Sequence, residues 1–236
     1  MHSKINQKYS PNFNNYKRNK KDIKFLIIHY TGMKREKDAI ERLINIQSEV
    51  SSHYFIKYDG KIIQFVPDLY TSWHAGKSAW RKKKRLNNFS IGIEISNPGH
   101  DYGYKNYNKK QIIALIKLLQ NLKKKYKIKA ENILGHSDIA PVRKKDPGEK
   151  FPWKNLAKKN LSIWHKVNTK ILKKFRGEKC DKYEKNLFLK NVSKIGYAKC
   201  KTFYVTRAFQ MRFRPELVNG KIDKECLKIS ENLIII

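Results

Sequence analysis

Acidic side chains are scarce in this chain: 20 Asp and Glu face 53 Lys and Arg over 236 residues, for a net charge of +33. Such a surplus argues against an acidic partner-binding module and favours polyanionic partners such as nucleic acid, anionic lipid or an acidic wall polymer. The lysines are nonetheless spread along nearly the whole length beside abundant Asn, Ile and Tyr, as an AT-rich coding sequence produces without any such partner. Cysteine is scarcer still. Cys180, Cys200 and Cys226 are odd in number, lack CxxC spacing and sit in the C-terminal quarter, so neither a disulfide framework nor a cysteine-held metal is indicated. No apolar run approaches the roughly 20 residues of a membrane-spanning helix. Residues 1 to 22 lack the apolar stretch of a secretory signal, which points to the cytosol or to a mature form of an exported protein. With 40% hydrophobic residues, the chain can build one full-sized domain and a small second one.

The first 22 residues, polar and basic, read as an extended N-terminal arm. From Ile23 the texture changes. Phe25 to His29 is a continuous apolar run of buried-strand type, and Ile40, Leu43 and Ile44 give residues 38 to 50 a helical spacing. His53 to Tyr58 and Lys61 to Val66 read as strands joined by Asp59-Gly60, a hairpin signal. In Ser90 to Ser96 the residues Ile91, Ile93 and Ile95 alternate with Gly92, Glu94 and Ser96, which puts Glu94 on the face away from the isoleucines. Asn108 with Gln111 resembles a capping box ahead of a long helix whose apolar face runs from Ile112 to Leu122. A last strand at 132 to 134 leads into His136. Intermixed strands and helices imply an α/β (α+β) fold with a mixed central β-sheet flanked by helices. Residues 153 to 175 pack on it, Arg176 to Lys179 read as a linker, and residues 180 to 236 carry three short helical patterns. These form a small three-helix C-terminal domain whose minimal core must lean on its larger neighbour.

Three side chains carry metal-ligand chemistry. His29 ends an apolar run, His136 follows a strand, and Asp146 precedes a proline that biases it to an extended backbone. Hydrolytic zinc sites commonly take three protein N/O ligands and leave one position open, the inventory these residues supply. Each also has an ordinary reading. A histidine at a strand end is more often a hydrogen-bonded polar residue, Glu94 an exposed carboxylate, Lys144 a solvated turn lysine, and Trp73 and Trp80 core aromatics. Spacing alone leaves both readings open.

The strings Phe25-Leu-Ile-Ile-His-Tyr-Thr31, Ser51-Ser-His-Tyr54, Trp73-His-Ala-Gly76, Ser90-Ile-Gly-Ile-Glu94 and the segment from Gly135 to Gly148 occur in the order found in zinc-dependent N-acetylmuramoyl-L-alanine amidases. The chain resembles that family, which shares its fold with peptidoglycan recognition proteins and phage lysozyme-type amidases, from about Ile23 to Trp153. Within it the AmiD branch is the nearest in motif. The tail from Ala208 to Pro215, with Asn219 to Asp223, is similar to the small peptidoglycan-binding-like helical domain of that branch. The resemblance implies one zinc ion held by His29, His136 and Asp146, with Glu94 assisting the attacking water and Lys144 near the developing oxyanion. His53 and His74 match family motifs without being ligands, and His74, Asn97 and Arg143 are candidates for substrate contacts.

The expected activity is hydrolysis of the amide between N-acetylmuramic acid, ordinary or 1,6-anhydro, and the L-alanine of the stem peptide in wall turnover or recycling. The alternative is a non-catalytic recognition protein that binds peptidoglycan without cutting it. No nucleic-acid-reading motif accompanies the basic charge, so muropeptide or peptidoglycan is the expected partner and a monomer the expected state. The AmiD-like motifs place the protein in the periplasm or cell envelope, whereas the missing export signal favours the cytoplasm.

Overall fold

The computed structural model describes residues 5–235. Ten strands occur in chain order: β1 (Asn6–Gln7), β2 (Phe13–Asn14), β3 (Phe25–Tyr30), β4 (Tyr54–Ile56), β5 (Ile62–Gln64), β6 (Thr71–Ser72), β7 (Ala79–Trp80), β8 (Lys83–Lys84), β9 (Ser90–Ile95) and β10 (Ile133–Gly135). The α-helices are α1 (Glu36–Ile44), α2 (Lys109–Tyr126), α3 (His136–Ile139), α4 (Trp153–Ala157), α5 (Thr169–Phe175), α6 (Lys182–Ile195), α7 (Thr202–Phe213) and α8 (Lys224–Leu233). Six strands form a mixed sheet in the order β1-β5-β4-β9-β3-β10. Strands β4, β9, β3 and β10 run parallel, so their C-terminal ends open along one edge, where open α/β sheets place their ligands.

Both faces of this sheet are covered, and its central strands are correspondingly apolar throughout. On one face Leu26, Ile28, Ile91, Ile93 and Ile95 meet Leu115, Leu118, Leu119 and Leu122 of α2. That helix starts where the sequence marks it: the Asn108 side chain accepts from Gln111 N at 3.0 Å, and Gln111 Oε1 accepts from Asn108 N at 3.2 Å. On the opposite face Phe25, Ile27 and Leu134 share one apolar cluster with Trp80, Phe188, Tyr197 and Phe209. The C-terminal helices therefore complete the core of the sheet.

Three expectations shift. The first four residues of the N-terminal arm lie outside the described residues, and the rest is extended but pinned: β1 adds to the sheet edge, β2 pairs with β6, and the buried Arg18 donates to the carbonyls of Asp68, Asn87 and Ser90 at 2.6 to 2.8 Å. Isolated polar residues such as Arg18 carry no periodic signal of burial. Helix α1 stops at Ile44, because Asn45 is extended and caps a following 3-10 turn by accepting from Gln47 N at 2.9 Å. The segment from Arg176 to Lys179 is tied down rather than free. Arg176 makes a bidentate pair with the buried Glu225, and Gly177 N donates to Asp223, the residue that caps α8. Helix α5 thereby packs on α8 and belongs with the C-terminal helices.

Candidate metal centre

Strand register brings the site together. His29 stands beside Glu94 in the β3–β9 pairing, and Ile28 beside Gly135 in the β3–β10 pairing, so His136 emerges next to His29. Asp146 returns to the same point because its carbonyl accepts from Ser137 N at 2.8 Å. The Nδ1 atoms of His29 and His136 lie 2.9 Å apart, and each is 3.0 Å from Asp146 Oδ2. All three residues are buried. Protons cannot satisfy all three contacts at once: if each Nδ1–H points to Asp146 Oδ2, the two nitrogens still face each other at 2.9 Å with no proton between them. A small cation can. Tetrahedral zinc with bonds of about 2.0 to 2.1 Å sets its ligand atoms about 3.3 Å apart, a few tenths of an ångström wider than the 2.9 to 3.0 Å of this triangle. The donor set therefore fits zinc.

Electrostatics follow from burial. Desolvation, with help from the neighbouring His136, pushes protonation of His29 down to about 4. Burial would raise Asp146, but the adjoining His136 and His29 rings hold it well below the usual carboxylate range. Both are thereby kept in their metal-binding forms. Glu94 shows the opposite behaviour: burial, then the Asp146 charge, pushes its carboxyl well above the ordinary value, with Lys144 opposing. Its Oε2 is buried and has no hydrogen-bond partner among the described residues. A carboxyl with an uncommitted oxygen beside the triangle can take and return a proton.

The site floors a groove of about 710 Å³. Lys144, Lys145, Arg143, Lys34 and Arg42 line it, against Asp38 and Asp101, so its walls are basic. Of the expected substrate contacts, Arg143 reaches the groove and also donates to the carbonyls of Ala75 and Lys77 at 3.1 and 2.7 Å. His74 also lines the groove, whereas Asn97 does not. Asn97 is buried away from the groove: its Nδ2 donates to Lys105 O and its Oδ1 accepts from Gly99 N, which shapes the loop after β9. His74 spends both ring nitrogens on protein, Nδ1 lying 3.0 Å from His29 Nε2 and Nε2 lying 3.1 Å from Ser90 Oγ. It fills the space over Gly92, where a Cβ would come within 2.4 Å of the ring. Trp80 is buried against Tyr197, whereas Trp73 lines the groove. Sequence reasoning missed Ser90 and Asn87, whose Oδ1 accepts from the backbone of His74 and Ala75. Small polar residues acting on backbone give no pattern to read.

The model of the N-acetylmuramoyl-L-alanine amidase family matches residues 19–149. The chain is 38% identical to N-acetylmuramoyl-L-alanine amidase AmiD of Escherichia coli over 90% of its own length and 82% of the relative's. It is 43% identical to 1,6-anhydro-N-acetylmuramyl-L-alanine amidase AmpD of Enterobacter cloacae over 44% of its own length and 54% of that relative's. The solved complex of E. coli AmiD with the substrate anhydro-N-acetylmuramic acid-L-Ala-D-gamma-Glu-L-Lys superposes with a TM-score of 0.80 and 34% identity, over 94% of this chain and 91% of that one. AmpDh3 from Pseudomonas aeruginosa gives a TM-score of 0.78 and 30% identity, over 93% of each chain. With its triangle of ligands built on these motifs, the chain belongs to the N-acetylmuramoyl-L-alanine amidase family.

Proposed function

We infer that this protein hydrolyses the amide joining N-acetylmuramic acid to L-alanine, in muropeptides with either the ordinary or the 1,6-anhydro sugar. The observation that carries this reading is the His29, His136 and Asp146 triangle beside the uncommitted Oε2 of Glu94, at the floor of a basic groove. The anhydro-N-acetylmuramic acid peptide bound in the E. coli AmiD complex and the name of the AmpD relative support the anhydro form. Zinc in this triangle supplies a Lewis acid for the amide carbonyl and renders water more acidic, toward a pKa of about 7.

The chain's own groups do the rest. Glu94 takes the proton of the attacking water at its carboxylate and returns it to the leaving nitrogen of L-alanine, a step that the raised proton affinity of a buried carboxyl favours. Lys144 lines the groove next to this carboxyl and stabilises negative charge as it grows on the amide oxygen. The surrounding cations Arg143, Lys145 and Arg42 attract the carboxylates of the stem peptide. Mass spectrometry of products from both sugar forms tests the reading. Free stem peptide beginning with L-alanine is expected in the presence of zinc, and its absence under all metal conditions would refute the assignment.

A further inference from the structure

Each imidazole of the triangle has its second nitrogen engaged, and both partners come from one dipeptide, His74-Ala75. The bond directions are fixed by chemistry. Leu86 O can only accept, so Ser90 Oγ, 2.5 Å away, donates its proton there. Ser90 Oγ is then left as an acceptor for His74 Nε2 at 3.1 Å, and that nitrogen must carry a proton. In a neutral ring the other nitrogen, His74 Nδ1, is bare, and it accepts from His29 Nε2 at 3.0 Å. His29 therefore has its proton on Nε2 and a lone pair on Nδ1, toward the triangle. For His136 the route is shorter. Ala75 O lies 3.2 Å from Nε2 and can only accept, which again leaves a lone pair on Nδ1.

We propose that the His74-Ala75 dipeptide acts as a two-armed positioning element, one arm a side chain and the other a carbonyl, that holds both histidine ligands by their Nε2–H groups and so turns each Nδ1 toward the centre of the triangle. The proposal deepens the reading of this site as a metal centre and rests on it. The dipeptide is itself held from both sides. Asn87 Oδ1 accepts from His74 N at 3.2 Å and from Ala75 N at 2.7 Å, and Arg143 donates to Ala75 O at 3.1 Å. Glycine at 92 is part of the device, because any Cβ there would occupy the space of the His74 ring. His74 lies buried with no carboxylate within hydrogen-bond reach among the described residues, which suits a neutral relay. Partners of this kind fix ring orientation and tautomer in metal sites, and their loss typically costs roughly 10- to 100-fold in metal affinity.

The test begins with the unmodified chain, labelled with nitrogen-15 and given one equivalent of zinc. Long-range proton–nitrogen correlation spectra distinguish bare from protonated ring nitrogens. The expected result is a protonated Nε2 on His29, His74 and His136 alike and a bare Nδ1 on His74; a proton on Nδ1 of His74, or an even mixture, would overturn the proposal. Zinc affinity by chelator competition gives a second reading. His74→Leu, which keeps bulk but loses the acceptor, is expected to weaken zinc binding roughly 10- to 100-fold. His74→Asn, whose Oδ1 replaces Nδ1 as acceptor, should recover much of that loss. Equal zinc affinity in wild type, His74→Leu and His74→Asn would contradict the role. Should the wild-type chain bind no zinc at all, the metal-centre reading fails, while the spectra still decide the tautomers.

Discussion

At Glu94 a carboxyl group sits beside three ligand side chains with one oxygen that no donor among the described residues reaches. Its sister residues on β9 are isoleucines buried on the other face, so strand alternation alone aims it at the groove. Replacing it with glutamine preserves shape and removes the basic oxygen. Glu94→Gln is expected to lower kcat by roughly 100- to 10,000-fold while leaving zinc stoichiometry unchanged; steady-state kinetics beside metal analysis checks both halves. His53 illustrates a buried histidine with a structural role. Its Nδ1 accepts from Gly92 N at 3.0 Å and its Nε2 faces Tyr70 O at 2.9 Å, so a second proton would set N–H against N–H. Burial, then the Arg18 charge, pushes its protonation down to about 3 from an ordinary 6.5. The unfolded chain thus binds a proton that the fold refuses, and stability declines as pH falls from about 6.5 toward 3. Urea unfolding at a series of pH values should show that decline, with a shallower slope in His53→Gln.

Helices and strands were legible where their signals are periodic or chemical. The isoleucine alternation of β9, the apolar run of β3, the Asp59-Gly60 hairpin between β4 and β5, and the capping box of α2 all stand where the residues place them. The cap can be weighed. Asn108→Ala leaves Gln111 N without its acceptor and is expected to cost about 1 kcal/mol, read as a lower melting temperature. The three ligands were legible through motif order, since no local pattern says that residues 29, 136 and 146 converge; strand register does that. What escaped the sequence was of two kinds. Arg18, Ser90 and Asn87 act through side-chain hydrogen bonds to backbone groups in other segments, which no periodicity encodes. The inward turn of His74 depends on the empty space above Gly92, a fact of packing between elements.

At the scale of the whole molecule, the C-terminal helices are bound to the element that carries a ligand. Asp138 on α3, two residues beyond His136, accepts from Arg212 on α7, from Tyr197 OH at 2.7 Å and from Gly135 N at 2.7 Å. Arg212 also donates to Ile133 O on β10 and stacks its guanidinium over Trp153. Asp138 and Arg212 are both buried, so removing one partner strands the other in the interior. Arg212→Leu is expected to destabilise the chain by roughly 3 to 5 kcal/mol, and denaturant unfolding measures the loss. The joint core of Phe25, Ile27 and Leu134 with Phe188 and Phe209 makes the two parts one cooperative unit, so a single unfolding transition is expected for the whole chain. The ligand triangle at the edge of that core is the account's centre, and titration of zinc into metal-free protein while following stem-peptide release tests it most directly. Activity should rise from near zero to a plateau at one zinc per chain. Full activity in the chelator-stripped protein, with no response to added zinc, would contradict the account.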